Sequence, residues 1–199
     1  MFGGPIVLAS TSEARARLCE TLFPAGFTTV APRCDEGAIH GRSPDETALL
    51  RAFAKAVSVG MPEAIVIGSD QLVDLDGRIL GKPGTAERAR AQLAELSGRT
   101  HRLVTAVVVV AGELRRSEVV VHRMTMRSLA ADEIAQYVEL DRPEGCAGSY
   151  RFESRGHALF ASVDGDDPTA IEGLPVRALS AMLAPLAGAR EARAGGVAG

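Results

Sequence analysis

Short apolar runs alternate with segments whose apolar positions recur every three or four residues, and this predicts strands and helices in turn. Ile6 to Ala9 reads as a buried strand, and a helix follows from about Glu13 to Leu22, with Leu18 and Leu22 on its apolar side. "FTTVAP" is a second short strand. The next helix opens at Ser43-Pro44-Asp45-Glu46, which supplies an N-cap, a proline in the first turn and a reciprocating glutamate. "AIVIGSD" is apolar until a Gly-Ser-Asp corner, and "LVDLDGRIL" predicts a hairpin turning at Asp76-Gly77. Helix "TAERARAQLAEL" stops at Ser97-Gly98. Two long β segments, "RLVTAVVVV" and "LRRSEVVVHRM", meet at Ala111-Gly112 as a hairpin. Helix "LAADEIAQYVEL" is expected to be capped by Ser128, "HALFASV" is a strand, and helix "VRALSAMLAPL" closes the pattern.

The alternation predicts an α/β fold: a single domain over residues 1–188, with a central mixed β-sheet flanked by helices, and a frayed Ala/Gly-rich tail over 189–199. A chain of 199 residues is long enough for one well-buried domain and short for two. The net charge of −3 gives no general attraction for nucleic acid or an anionic membrane, so an anionic ligand must be held locally. No apolar run reaches the roughly 20 residues needed to cross a bilayer, and the N-terminus lacks a signal-peptide pattern. Cys19, Cys34 and Cys146 are odd in number and widely spaced, which favours reduced thiols in a cytoplasmic protein.

Candidate chemistry gathers in a few places. Ser10-Thr11-Ser12 stands where a strand leads into a helix, with Arg15 about one turn in. Free backbone N–H groups and the helix dipole suit a phosphate there, but Ser10 to Glu13 also fits an ordinary capping box, and Arg17 belongs to a solvated face. Asp70 ends the most apolar run, where an unpaired carboxylate is costly; it either pairs with a cation, holds a metal or water, or caps a turn. Lys55 and Lys82 are the two lysines among 22 basic residues, and a lysine suits phosphate oxygens or a carboxylate that must stay ionised. Asp35-Glu36 offers oxygen ligands for Mg²⁺ or is a solvated loop. The four histidines have no ligand-like spacing and read as structural or surface residues.

In combination, "LASTSEARARLC", "CDE", "AFAKA", "IGSDQLVDLDGRILGKP", "LAELSGRTHRLVTAV", "CAGSYRFES" and "GDDPTAIEGLPV" resemble, in order, the motifs of the Maf-type nucleotide pyrophosphatases. The resemblance covers nearly the whole chain. It implies an inosine-triphosphatase-like fold and metal-dependent hydrolysis of a nucleoside triphosphate between its α- and β-phosphates, with Mg²⁺ or Mn²⁺. By motif, Asp70 matches the proton acceptor; Ser10, Ser12, Arg15, Lys55 and Lys82 match the groups around the phosphates; and Glu36, with Asp70, matches the metal-linked carboxylates. The family often forms homodimers.

The same resemblance bears on the base. Gln71 after Asp70 and Glu153 in "SYRFES" look like the branch acting on 7-methyl-GTP, where a carboxylate accepts from the guanine edge or favours the positively charged methylated ring. Ala14 stands where that branch often has an aromatic residue, and Phe152, where it commonly has Ser, is a candidate replacement for the stacking ring. The alternatives are the same chemistry on dTTP or UTP, and a nucleotide-binding regulator of septum formation that does not hydrolyse.

Overall fold

The computed structural model describes residues 4–194, with side chains to residue 185. Its centre is a seven-stranded mixed sheet in the order β2-β1-β3-β5-β6-β7, with β4 paired to β3 off this path. The strands are β1 (Ile6–Ala9), β2 (Thr28–Thr29), β3 (Ile65–Leu75), β4 (Arg78–Leu80), β5 (Thr100–Ala111), β6 (Leu114–Met126) and β7 (Phe160–Asp164). The helices are α1 (Glu13–Leu22), α2 (Pro44–Ser58), α3 (Ala86–Leu96), α4 (Ala131–Asp141), the single turn α5 (Pro168–Ile171) and α6 (Val176–Ala194). The α/β architecture expected from the alternating pattern is the one formed. The tail expected from residue 189 falls beyond the described side chains, and residues 195–199 lie outside the described residues altogether.

Two local expectations hold for the reasons given. Ser43 caps α2 by accepting from Glu46 N, while the Glu46 carboxylate reaches back to Arg42 N. The β3–β4 hairpin turns at Asp76 and Gly77, both at positive φ (53° and 85°), the backbone that a two-residue turn with the right twist requires. Others are corrected. Ser10 to Glu13 is not the capping box; the N-cap of α1 is Ser12, whose hydroxyl accepts from Arg15 N at 3.4 Å. Ser128 does not cap α4; the N-cap is Ala130, and Glu133 satisfies its N–H instead. The second strand shrinks to Thr28–Thr29, and the strand expected over 157–163 begins only at Phe160, after a 3₁₀ turn.

The larger correction concerns Asp70. The apolar run does not stop at Gly-Ser-Asp: β3 continues to Leu75 and pairs with β5 along its whole length. On its other side β1 pairs only as far as Gly68, and β4 only from Val73. Residues 69–72 therefore have a strand neighbour on one side alone, and the sheet splits around Asp70. The chemistry sits at a fork in the middle of a strand.

Strand alternation then sorts the side chains. Leu72, Val104, Ala106 and Val108 pack with Ala48 and Ala52 of α2 on one face. Ile65, Ile67, Val107 and Val109 pack with Cys19, Leu174 and Leu179 on the other. The small residues Ala48, Ala52 and Ala56 let α2 lie close to the sheet; a Cβ at Gly68 would stand 2.2 Å from the Ala52 carbonyl oxygen. Beyond the fork, α3, α4 and the far half of the sheet enclose a second core around Leu93, Leu96, Met124 and Tyr137. The cleft lies between these two halves.

Candidate active site

A cleft of about 530 Å³ opens at the fork, and a smaller one of about 290 Å³ adjoins it at the start of α1, sharing Ser12, Arg15, Glu36, Lys55 and Lys82 with it. At the centre is Asp70, 3% exposed. Its carboxylate is directed by alternation to the α2 side of β3, where Lys55, also buried, meets it: Nζ to Oδ1 is 2.6 Å. Lys55 Nζ also lies 3.0 Å from Glu36 Oε2 and donates to the Ser69 carbonyl at 3.4 Å. A buried charge persists only when paired, and here one ammonium serves two carboxylates. Among the described residues Asp70 Oδ2 has no hydrogen-bond partner although it is buried. Glu36 begins a 3₁₀ turn capped by the Asp35 side chain, so the loop that presents it has defined geometry. Desolvation alone would raise the Glu36 carboxyl, but the hydrogen bond and charge of Lys55, with Lys82 and Arg15, hold it below the usual range.

The opposite face of β3 is used as well. Ser69 and Gln71, flanking Asp70, point to a corner formed by α5 and Gly173. The Ser69 hydroxyl lies 2.8 Å from the Gly173 carbonyl, and Gln71 Nε2 donates to the carbonyls of Ala170 (2.8 Å) and Ile171 (3.0 Å). Arg15 Nε donates to the same Gly173 carbonyl at 2.8 Å. Burial lowers the Arg15 guanidinium pKa, and the nearby charges of Asp70 and Glu36 oppose that shift. Gly173 has φ +100°, and a Cβ there would stand 3.1 Å from Arg15 Nε. Asp167 anchors the corner by accepting from Thr169 N, Thr169 Oγ1 and Arg177 N.

The remaining sequence candidates fall as follows. Ser10 is buried, lines the smaller cleft and accepts from Ser12 N at 3.1 Å. Ser12, Ala14, Gln71 and Glu153 line the larger cleft, Glu153 lying 3.6 Å from Arg151 Nε. Lys82, exposed after β4, reaches in from the second half. Arg17 is exposed, as the solvated-face reading had it. Phe152 is a correction: it packs against the core with its ring 5.7 Å from Phe160 and does not line the cleft, so it does not replace the missing stacking ring. His101 and His122 are buried structural residues, and among the described residues no cluster of three metal-ligating side chains exists.

Sequence reasoning missed Arg51, Cys34, Cys146 and Glu172, which also line the cleft, and the carbonyls of the 170–173 corner. Main-chain carbonyls leave no residue signature. Only Gly173, at its positive φ, could have pointed there.

A buried carboxylate–ammonium pair at a sheet fork, the N-terminus of α1 and further charged side chains of both signs thus meet around one cleft. Residues 5–186 match the family described as Maf-like protein, and the chain belongs to that family. It is 44% identical over 180 residues to a 7-methyl-GTP pyrophosphatase of Xanthomonas axonopodis pv. citri, covering 89% of this chain and 94% of the relative. It is 46% identical over 183 residues to a protein of the same name from Aromatoleum aromaticum, covering 89% and 93%. Among solved structures, the Staphylococcus aureus Ham1 protein aligns with 92% of this chain and 98% of its own at a TM-score of 0.49 and 17% identity.

Proposed function

We propose that this protein is a cytoplasmic nucleoside triphosphate pyrophosphatase that cleaves the α–β phosphoanhydride of 7-methyl-GTP, giving the monophosphate and pyrophosphate. The observation that carries the reading is the asymmetry of Asp70. Lys55 occupies one carboxylate oxygen, and the other, without a hydrogen-bond partner among the described residues, remains to accept a proton from the attacking water. The relatives' names supply the substrate.

The residues divide the work as phosphoryl chemistry requires, through positioning and charge neutralisation. The start of α1, with the Ser10 and Ser12 hydroxyls and Arg15, holds phosphate oxygens. Lys82 neutralises charge from the opposite wall. The Gly173 carbonyl fixes Arg15 so that its terminal amino groups arrive oriented. Glu153 favours the cationic methylated ring, and Gln71, whose amide N–H groups hold the 170–171 carbonyls, links the base side to Asp70.

The donor set fits a divalent cation. Mg²⁺ takes one or two carboxylates and completes its shell with phosphate oxygens and water; Glu36 supplies one such carboxylate at the cleft, which leaves Asp70 Oδ2 for the attacking water. Mg²⁺ or Mn²⁺ held there would polarise the phosphates and offset their charge. The chain pairs as a homodimer in this reading, supported by the exposed apolar line Leu50, Phe53, Val57 and Met61 along and just beyond α2.

Pyrophosphate release from a panel of canonical and methylated triphosphates, with Mg²⁺ or Mn²⁺, tests the proposal. The highest kcat/KM is expected on 7-methyl-GTP. Preference for dTTP or UTP would refute the base assignment; no release from any nucleotide would refute the enzyme and leave the regulator.

A further inference from the structure

The cleft wall carries four cationic side chains against five carboxylates, so before a metal binds it does not attract a polyphosphate by net charge. What matters is which cations are uncommitted. Lys55 is committed, lying within 3.0 Å of both Asp70 and Glu36. Arg15 is committed in part, through Nε to Gly173 and through its place beside the same two carboxylates.

Arg51 differs. It stands one helical turn before Lys55 on the same side of α2 and lines the same cleft. Its Nε donates to the Ile39 carbonyl at 3.1 Å, and among the described residues it forms no ion pair. That tether uses one of five donors and orients the guanidinium, leaving the two terminal amino groups for two oxygens of one ligand.

The geometry points to Arg51 as a phosphate-binding residue for the departing pyrophosphate, a role that rests on the pyrophosphatase reading above. The base-side candidates Ala14 and Glu153 come from α1 and from the segment after α4. Arg51 instead shares its helix with Lys55, and the Ile39 carbonyl that tethers it follows the turn carrying Glu36. A guanidinium on that wall meets phosphate oxygens favourably, whereas a methylated guanine ring, itself cationic, would repel it. Arg51 therefore serves both ends of the reaction: it adds affinity for the triphosphate and retards release of pyrophosphate.

The test titrates inorganic pyrophosphate with Mg²⁺ calorimetrically into wild type, Arg51→Gln and Arg51→Lys. It is paired with inhibition of turnover by pyrophosphate and by the nucleoside monophosphate. In Arg51→Gln, pyrophosphate affinity falls at least roughly tenfold, as expected for a lost charge-assisted hydrogen bond. KM rises by a similar factor, more than kcat falls, and inhibition by the monophosphate is unchanged. Arg51→Lys recovers part of the loss, and thermal unfolding reports that both variants fold. Pyrophosphate affinity within twofold of wild type in Arg51→Gln overturns the role. So does a fall in kcat at constant KM, which marks loss of the Ile39 tether only, or weakened inhibition confined to the monophosphate. A wild type that binds no pyrophosphate overturns it too. If wild type hydrolyses no triphosphate, the pyrophosphatase reading fails and this role with it; if wild type turns over and Arg51→Gln binds pyrophosphate normally, this role fails alone.

Discussion

Gly68→Ala tests the link between helix packing and chemistry. Gly68 lies where α2 crosses β3, and a methyl group there would stand 2.2 Å from the Ala52 carbonyl oxygen and 3.0 Å from the Ala56 Cβ. The obstructing atom is helix backbone, so no rotamer change relieves the clash. Restoring an ordinary contact of 3.4 Å requires α2 to move outward by about 1 Å. Overpacking of this kind costs about 1–3 kcal/mol, measurable by urea unfolding. The same displacement carries Lys55 away from Asp70, where the contact is now 2.6 Å, and lengthens its reach to Glu36. A misplacement of about 1 Å in a catalytic constellation reduces turnover by about a hundredfold, so kcat is expected to fall by that order in the folded variant. Stability within 0.5 kcal/mol together with kcat within twofold of wild type (thresholds of roughly the scatter for neutral substitutions) would refute the reasoning, because α2 would not be seated on β3 as described.

Further outcomes follow from single groups. Asp70→Asn keeps the fold and nucleotide binding but lowers pyrophosphate release at least about a hundredfold, since the amide cannot take the proton; turnover near wild type would remove Asp70 from its role. Glu36 is held below its ordinary value of 4.5, so its contribution to stability is present above that pH and is lost as pH falls through the lower folded value. Unfolding curves of Glu36→Gln should therefore lack that acid-side loss; identical curves would contradict it. Burial pushes the His101 imidazole down to about 4 from 6.5, so the unfolded chain binds more protons between those values and stability falls as pH drops through that window. Wild type should lose about 2 kcal/mol between pH 7 and 5, and His101→Gln should not. Val57→Asp places a charge in the exposed apolar line of α2 and, on the proposed homodimer, should convert it to a monomer by sedimentation; a dimer unchanged by the substitution, or a wild type that sediments as a monomer, would refute that interface.

Much of the molecule was legible in local chemistry. The Ser43 cap, the Asp76-Gly77 turn and the alternation of strands and helices depend on neighbours in sequence, and they formed as expected. The continuity of β3 past Asp70 was not legible, because Gly-Ser-Asp is a turn-like sequence and the ladder with β5 keeps it extended. The aromatic at 152 misled for a similar reason: a partly buried ring serves a core or a ligand equally well until its neighbours are known.

By itself the sequence determined which chemistry was available: one acid at the end of an apolar run, two lysines, a serine-rich helix start and the ordered motifs that resemble the family. Only the tertiary structure decided how these were committed. It placed one ammonium between two carboxylates, tied Arg15 and Gln71 to carbonyls about a hundred residues or more away, and, among the described residues, left Arg51 without an ion pair beside them. The reason is that partner choice depends on which backbone and side-chain groups are brought within about 3 Å after the sheet forks and α2 settles on Gly68, and no spacing along the chain encodes that distance.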